Sequence, residues 1–214
     1  MPQSPEEQQF WRARWSNHDT PWDLNGPHPL TQRVIELLEI TCRHVFNPDS
    51  RAYIPACGSA HDCVPLNEAG FAIVAEDLVA DAVTAATQLY GSASIQCRVG
   101  NSLETLADEA ASFDLIFDRA ALCAMQLDMR QIYWDQCIAK LKPGGVFASI
   151  LFTQMKPEFD GVKGPPFIVN LESLQDLFSD QVGLLAAEEY PCANQTGKIL
   201  YETIVLVMKD KKTS

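Results

Sequence analysis

Ala52-Tyr53-Ile54-Pro55-Ala56-Cys57-Gly58-Ser59-Ala60-His61-Asp62, followed further on by Phe71-Ala72-Ile73-Val74-Ala75-Glu76-Asp77, is the stretch that decides the fold. Short apolar runs over 52–56 and 71–75 have the length of buried strands, and a helix is predicted between them over 62–69. Strand, helix, strand is a crossover unit, and a crossover of that length joins parallel strands. The same grammar continues downstream, with a helix over 80–90, strands over 95–99 and 113–117, and a helix over 129–141. Lys142-Pro143-Gly144-Gly145 is then expected to stop that helix and turn the chain into a strand over 146–152. Strands alternating with helices predict an α/β chain whose mostly parallel sheet is covered on both faces. The end differs. A helix over 171–178 leads to strands over 184–190 and 198–208, and the short connection at 191–197 predicts an antiparallel hairpin on the sheet edge. Seven strands are expected in all.

Upstream, Ser4-Pro5-Glu6-Glu7 reads as a capping box with proline at the first helical position. The helix it opens places Phe10, Trp11, Arg14 and Trp15 on adjoining rows of one side. Asn17 to Asp23 is rich in turn residues, and Trp22 lies within it. Three of the four tryptophans thus fall near the N-terminus, where fraying is the default. A second helix is predicted over 30–45 from the spacing of Leu30, Val34, Leu37, Leu38, Thr41 and Val45.

Composition narrows the class of function. The chain has 214 residues, 47% hydrophobic and 21% charged, which is ordinary for one globular domain. Sixteen Lys and Arg against 28 Asp and Glu leave a net charge of −12, so phosphate backbones and anionic lipid are disfavoured as partners. No apolar run is long enough to span a membrane, and the N-terminus lacks the basic-then-apolar pattern of a secretory leader. The cysteines (Cys42, Cys57, Cys63, Cys97, Cys123, Cys137, Cys192) are odd in number and form no Cys-x-x-Cys pair, so they read as reduced thiols of a cytoplasmic protein. His18, His28, His44 and His61 show no metal spacing. No internal repeat or interdomain linker is seen, and residues 209–214 read as a tail.

Ligands of an open parallel sheet bind beyond the carboxyl ends of its strands, which directs attention to four loops. The first, Pro55 to Asp62, has small residues that let backbone approach a ligand, but lacks the three-glycine dinucleotide fingerprint. Glu76 and Asp77 follow the second strand at what reads as an exposed strand end, where a carboxylate can accept the hydroxyls of a ribose. Gly100-Asn101-Ser102 follows the third strand, and its amide is placed to read a purine edge. Asp118-Arg119 follows the fourth. Together these loops suit a nucleoside ligand.

Trp15, Thr20-Pro21-Trp22-Asp23, Pro55-Ala56-Cys57-Gly58 with His61-Asp62, Phe113-Asp114-Leu115-Ile116-Phe117-Asp118-Arg119-Ala120-Ala121-Leu122 and Gly164-Pro165-Pro166-Phe167 stand in this order. Over roughly residues 10–207 this pattern resembles the thiopurine S-methyltransferase family, including its plant and bacterial thiol and halide methyltransferase branch. The resemblance implies a single class I methyltransferase domain (Rossmann-like, residues 1–214) with an N-terminal helical lid over about 1–28. It implies S-adenosylmethionine as cofactor, S-adenosylhomocysteine as its product, and transfer of the methyl to a small or heteroaryl thiol. Halide, thiocyanate, hydrogen sulfide or a metalloid is the alternative acceptor, and a cofactor-binding sensor without turnover is a second alternative.

Position by position, the resemblance assigns Trp11, Trp15, Trp22, Ala56, Gly58, Asp77, Asn101, Ser102 and Asp118 to the cofactor. Arg119 is the acceptor-side catalytic residue, and Phe10, Phe152 and Phe167 line the substrate pocket; no metal is implied. Many relatives carry an acid where Asn101 stands and a Tyr where Thr153 stands. No general base is evident, so acceptors that are already anionic, held by Arg119, are favoured. The expected protein is a cytoplasmic monomer whose partner is a small thiol or anionic nucleophile.

Overall fold

A computed structural model describes residues 5–104, 108–155, 165–192 and 199–211. Ser4 of the capping box, Gly164 and residues 212–214 of the tail lie outside the described residues. The elements are α1 (Pro5–Ser16), α2 (Thr31–Thr41), β1 (Arg51–Pro55), α3 (Cys63–Glu68), β2 (Ala72–Asp77), α4 (Ala80–Tyr90) and β3 (Ile95–Val99). After them come β4 (Phe113–Arg119), α5 (Ala121–Ala124), α6 (Arg130–Lys140), β5 (Leu141–Met155), α7 (Leu171–Gln175), β6 (Val182–Pro191) and β7 (Ile199–Lys209).

The seven strands form one sheet in the order β3-β2-β1-β4-β5-β7-β6. β1 to β5 run parallel, and β7 enters antiparallel between β5 and β6. Strand order reverses between β1 and β4, which opens a crevice beyond the carboxyl ends of these two strands.

Successive side chains of a strand point to opposite faces, and the packing follows that period. Ala52, Ile54, Leu115, Phe117, Ala148 and Ile150 pack with Val34, Ile35 and Leu38 of α2 on one face. Tyr53, Ile116, Phe147 and Leu151 pack with Tyr133, Trp134, Cys137 and Ile138 of α6 on the other. Both faces are covered, which is why the central strands read in the sequence as continuous apolar runs.

Several boundaries differ from expectation, and four of the differences matter most. β2 continues through Glu76 and Asp77 because its neighbours also run late: Cys57 N–H donates to Glu76 O, and Gly100 N–H to Asp77 O, both at 3.0 Å. These two acids are therefore buried, 5% and 8% exposed, and the expectation of an exposed strand end is corrected. α2 is shorter than 30–45 and gives way to a separate 3₁₀ turn, Arg43–Val45. Lys142-Pro143-Gly144-Gly145 does not precede its strand. Leu141 already pairs with Phe113, and the register then shifts so that Leu115 pairs with Val146, leaving these residues as an irregularity inside β5. Finally, Lys209 belongs to β7 rather than to a tail. Its buried Nζ donates to Ile138 O at 2.8 Å and Leu141 O at 2.9 Å, placing a cation on the carbonyls that end α6.

Candidate active site

The loop between β1 and α3 turns sharply, with Ala56, Gly58 and Ala60 at φ of 47°, 55° and 58°. Left-handed backbone costs a non-glycine residue roughly 1–2 kcal/mol, so the two alanines store strain where the chain doubles back. Asp77 holds this turn. Its carboxylate accepts the Gly58 N–H and the Val79 N–H, each at 2.9 Å. Burial pushes the Asp77 carboxyl above the usual carboxylate range, and those backbone donors oppose the shift. Each oxygen keeps a lone pair for a further donor.

Glu76 beside it is occupied. The Tyr53 hydroxyl donates to one oxygen at 2.6 Å and Arg98 Nε to the other at 2.7 Å. Arg98 also pairs with Glu109, and Lys140 lies 3.9 Å from Glu109 with its Nζ 5.0 Å above the Tyr53 ring. The buried charges thus alternate in sign. Gly100 packs directly on this cluster, where a Cβ would collide with the Glu76 carboxylate. In the next turn the Asn101 side chain accepts the Leu103 N–H at 3.1 Å and donates to Glu104 at 3.2 Å, so it closes its own turn.

The N-terminal segment covers these loops. A Cβ on Gly58 would stand 3.5 Å from Trp15 Cζ2. Trp11 meets Trp22 edge-on at 5.4 Å, and the Arg14 guanidinium lies 5.2 Å from the Trp22 ring. Three contacts hold the segment down. Asp23 accepts from Ser59 Oγ at 2.5 Å and pairs with His61 Nε2 at 2.9 Å. Burial raises the Asp23 carboxyl, but Ser59, the Asn25 N–H and His61 outweigh it, so its pKa lies below the usual value. Asp62 accepts the His28 N–H at 2.7 Å and the Thr31 hydroxyl at 2.6 Å. Arg119 Nη2 donates to Trp22 O at 2.7 Å.

Beneath the segment lies a cavity of about 690 Å³, a usual size for a small-molecule site. It brings together Phe10, Trp11, Trp15, Trp22, Ala56, Gly58, Asp77, Asn101, Ser102, Arg119 and Phe152 from the expected set. Two residues of that set depart. Asp118 is fully buried and turned into the core, where it accepts from Tyr133 OH at 2.6 Å, Leu122 N–H at 3.0 Å and Ser149 Oγ at 3.2 Å. Phe167 stands outside the lining, its ring 6.0 Å from the Arg130 guanidinium. The cavity has one end with an acid, a tight turn and indoles, and a second end beyond β4 and β5. That end is formed by Arg119, Ala120, Met125, Phe152, Tyr190 and a buried pair, His28 and Glu202, 3.3 Å apart. The Thr-Pro-Trp-Asp block pointed to Asp23, whereas His28 and Glu202 carried no site signal in the sequence.

The Asp77 carboxylate, the turn around Gly58 and the indole faces fit a nucleoside carrying a cationic sulfonium, which an aromatic face attracts. The fold is that of class I S-adenosylmethionine-dependent methyltransferases. The N-methyltransferase NodS from Bradyrhizobium japonicum, solved with S-adenosylhomocysteine, superimposes with a TM-score of 0.71 at 15% identity, covering 95% of this chain and 98% of that one. The model of the thiopurine S-methyltransferase family matches residues 6–205, and the chain belongs to that family of S-adenosylmethionine-dependent S-methyltransferases. It is 30% identical to thiocyanate methyltransferase 1 of Arabidopsis thaliana, over 90% of this chain and 81% of that protein. It is 26% identical to the thiopurine S-methyltransferase of Photobacterium profundum, over 85% and 87%.

Proposed function

We propose that this enzyme methylates a small or heteroaryl thiol at the end of the cavity formed by Arg119, Phe152 and Tyr190. The observation that carries the reading is one cavity joining Asp77 and the Gly58 turn, under three indoles, to a separate polar end. S-adenosylmethionine supplies a methyl carbon activated on a sulfonium sulfur. Asp77 receives the ribose hydroxyls, while Gly58 and Ala56 let backbone close on the methionine portion. Gly100 to Ser102 borders the adenine; with the Asn101 amide engaged in its own turn, backbone and Ser102 are left for that contact.

Trp11, Trp15 and Trp22 act as a lid. It excludes water, and in a dry site the in-line displacement gains from alignment of nucleophile, carbon and leaving sulfur. Arg119 positions Trp22 through its carbonyl and turns its remaining donors toward the acceptor. Phe10 and Phe152 supply apolar walls. Asp118 is assigned instead to holding the start of α5, where it accepts the Leu122 N–H.

Thiocyanate or a halide is the second reading, supported by the likeness to the Arabidopsis thiocyanate methyltransferase and by the Arg119 cation. The unit of function is a single domain acting as a monomer, and the buried thiols Cys42, Cys63, Cys123 and Cys137 support a reducing, cytoplasmic setting. Incubation with methyl-labelled S-adenosylmethionine and a panel of thiols, thiopurines, thiocyanate and iodide tests the proposal. Labelled methyl thioether is expected. Binding of the cofactor with transfer to no member of the panel would leave the sensor reading in its place.

A further inference from the structure

The far end of the cavity holds a side-chain pair whose chemistry the foregoing mechanism does not use. His28 and Glu202 have side chains only 8% and 9% exposed, yet both line the cavity. His28 Nδ1 accepts the Leu30 N–H at 3.3 Å. With Nδ1 accepting, the ring proton is left to Nε2, which faces Glu202 Oε1 at 3.3 Å. With Nδ1 already accepting, the imidazole has no free acceptor for a substrate proton and acts as a neighbour that positions the carboxylate. The Glu202 carboxylate accepts no hydrogen bond among the described residues, and the residue lines the cavity. In β7 it stands in register with Phe152 of β5, a wall of the acceptor end, and with Tyr190 of β6.

We propose that Glu202, positioned by His28, takes the proton of a neutral acceptor, either a thiol S–H or the ring N–H of a heteroaryl thione. This rests on the thiol methyltransferase reading and narrows its substrate class to acceptors that arrive protonated. As the acceptor sulfur forms its bond to the methyl carbon, the bond from that carbon to the sulfonium sulfur breaks and its electron pair stays on the leaving sulfur. The proton passes to the Glu202 carboxylate, the product is a neutral thioether, and the proton leaves to solvent with product release. An alkyl thiol is only a few per cent ionised at neutral pH, so a placed proton acceptor has work to do, typically 10²–10⁴-fold. The same carboxylate, in a wall of low polarity, repels thiocyanate and halide. The ionisable groups packed around it leave it that role. Burial raises the Cys123 thiol of α5 to about 12, Tyr190 OH donates to Glu188, and Arg130 of α6 donates to Ile168 O.

The test compares wild type, Glu202→Gln and Glu202→Asp. The first measurement is the ratio of kcat/KM for an alkyl thiol to that for iodide, across pH. The second is the apparent pKa of 4-nitrothiophenol bound to the S-adenosylhomocysteine complex, read by thiolate absorbance. In Glu202→Gln the thiol-to-iodide ratio is expected to fall at least tenfold at neutral pH, with the deficit closing above the pKa of the thiol. The bound aromatic thiol should ionise at lower pH than in wild type, because a neighbouring negative charge is gone. Glu202→Asp should fall between the two in both measurements, and it serves alone if the Gln protein does not fold. An unchanged ratio together with an unchanged bound pKa overturns the role of Glu202 while leaving thiol methylation standing. A wild type that methylates nothing overturns the underlying reading instead.

Discussion

Asp118 has no exposed surface, and burial raises its carboxyl to about 6 against hydrogen bonds from Tyr133, Leu122, Ser149 and Ala121 that favour the anion. The unfolded chain holds this group near 3.9, so between those values the folded state binds more protons. Stability contributed at this site is therefore present below about pH 4 and declines as pH rises to about 6, by about 3 kcal/mol in total. Urea unfolding of wild type and Asp118→Asn at pH 4 and pH 7 reads this out. Wild type should lose more stability than the variant over that interval, and equal losses would contradict the account. The sequence placed Asp118 at the mouth of the site because it follows an apolar strand. What it could not show is direction. In a strand buried on both faces, apolar pattern gives no hint of which side a polar residue turns to, and Asp118 turns to Tyr133 and Ser149. Asp77 was singled out in the sequence and lines the cavity, although its burial was not legible, because the length of β2 depends on how far β1 and β3 run beside it.

At the scale of elements, α1 and the residues after it are held to the sheet through Arg119, Asp23 and Asp62 rather than by a broad apolar face. A segment tied at a few polar points can open and close, which is how a lid gates a site. Hydrogen exchange over residues 10–22 should slow when S-adenosylhomocysteine binds. In Arg119→Lys, which cannot keep both the Trp22 carbonyl and a planar donor fork, that protection should shrink and transfer to an anionic acceptor should fall at least tenfold. Equal protection in both states, or a lysine variant of normal activity, would make the segment plain packing. The strand–helix alternation was readable because buried parallel strands are short apolar runs between amphipathic helices. Lys142 to Gly145 misled because proline and two glycines mark a turn whether it precedes a strand or interrupts one. Only the pairing of Leu141 with Phe113 distinguishes the two.

For the whole molecule, the sheet gathers residues from nearly the full length of the chain into one cavity. That is why the loops around Gly58 and Asp77 were legible, while at the other end Arg119 and Phe152 were foreseen and His28 and Glu202 were not. Gly58, Asp77 and Asn101 each follow a recognisable strand, so their spacing carries information. His28 and Glu202 meet only because β7 inserts between β5 and β6 and brings Glu202 beside Phe152, and no local pattern records that. The acidic surface, net −12, is consistent with a small-molecule partner rather than a polyanion. The central claim is that this cavity binds S-adenosylmethionine through Asp77, and titration calorimetry with S-adenosylhomocysteine tests it most directly. Micromolar binding is predicted for wild type, weaker by roughly 1–3 kcal/mol in Asp77→Ala with the fold retained, and no appreciable binding of NAD to either. A wild-type protein that binds NAD but not S-adenosylhomocysteine, or an Asp77→Ala variant of undiminished affinity, would contradict it.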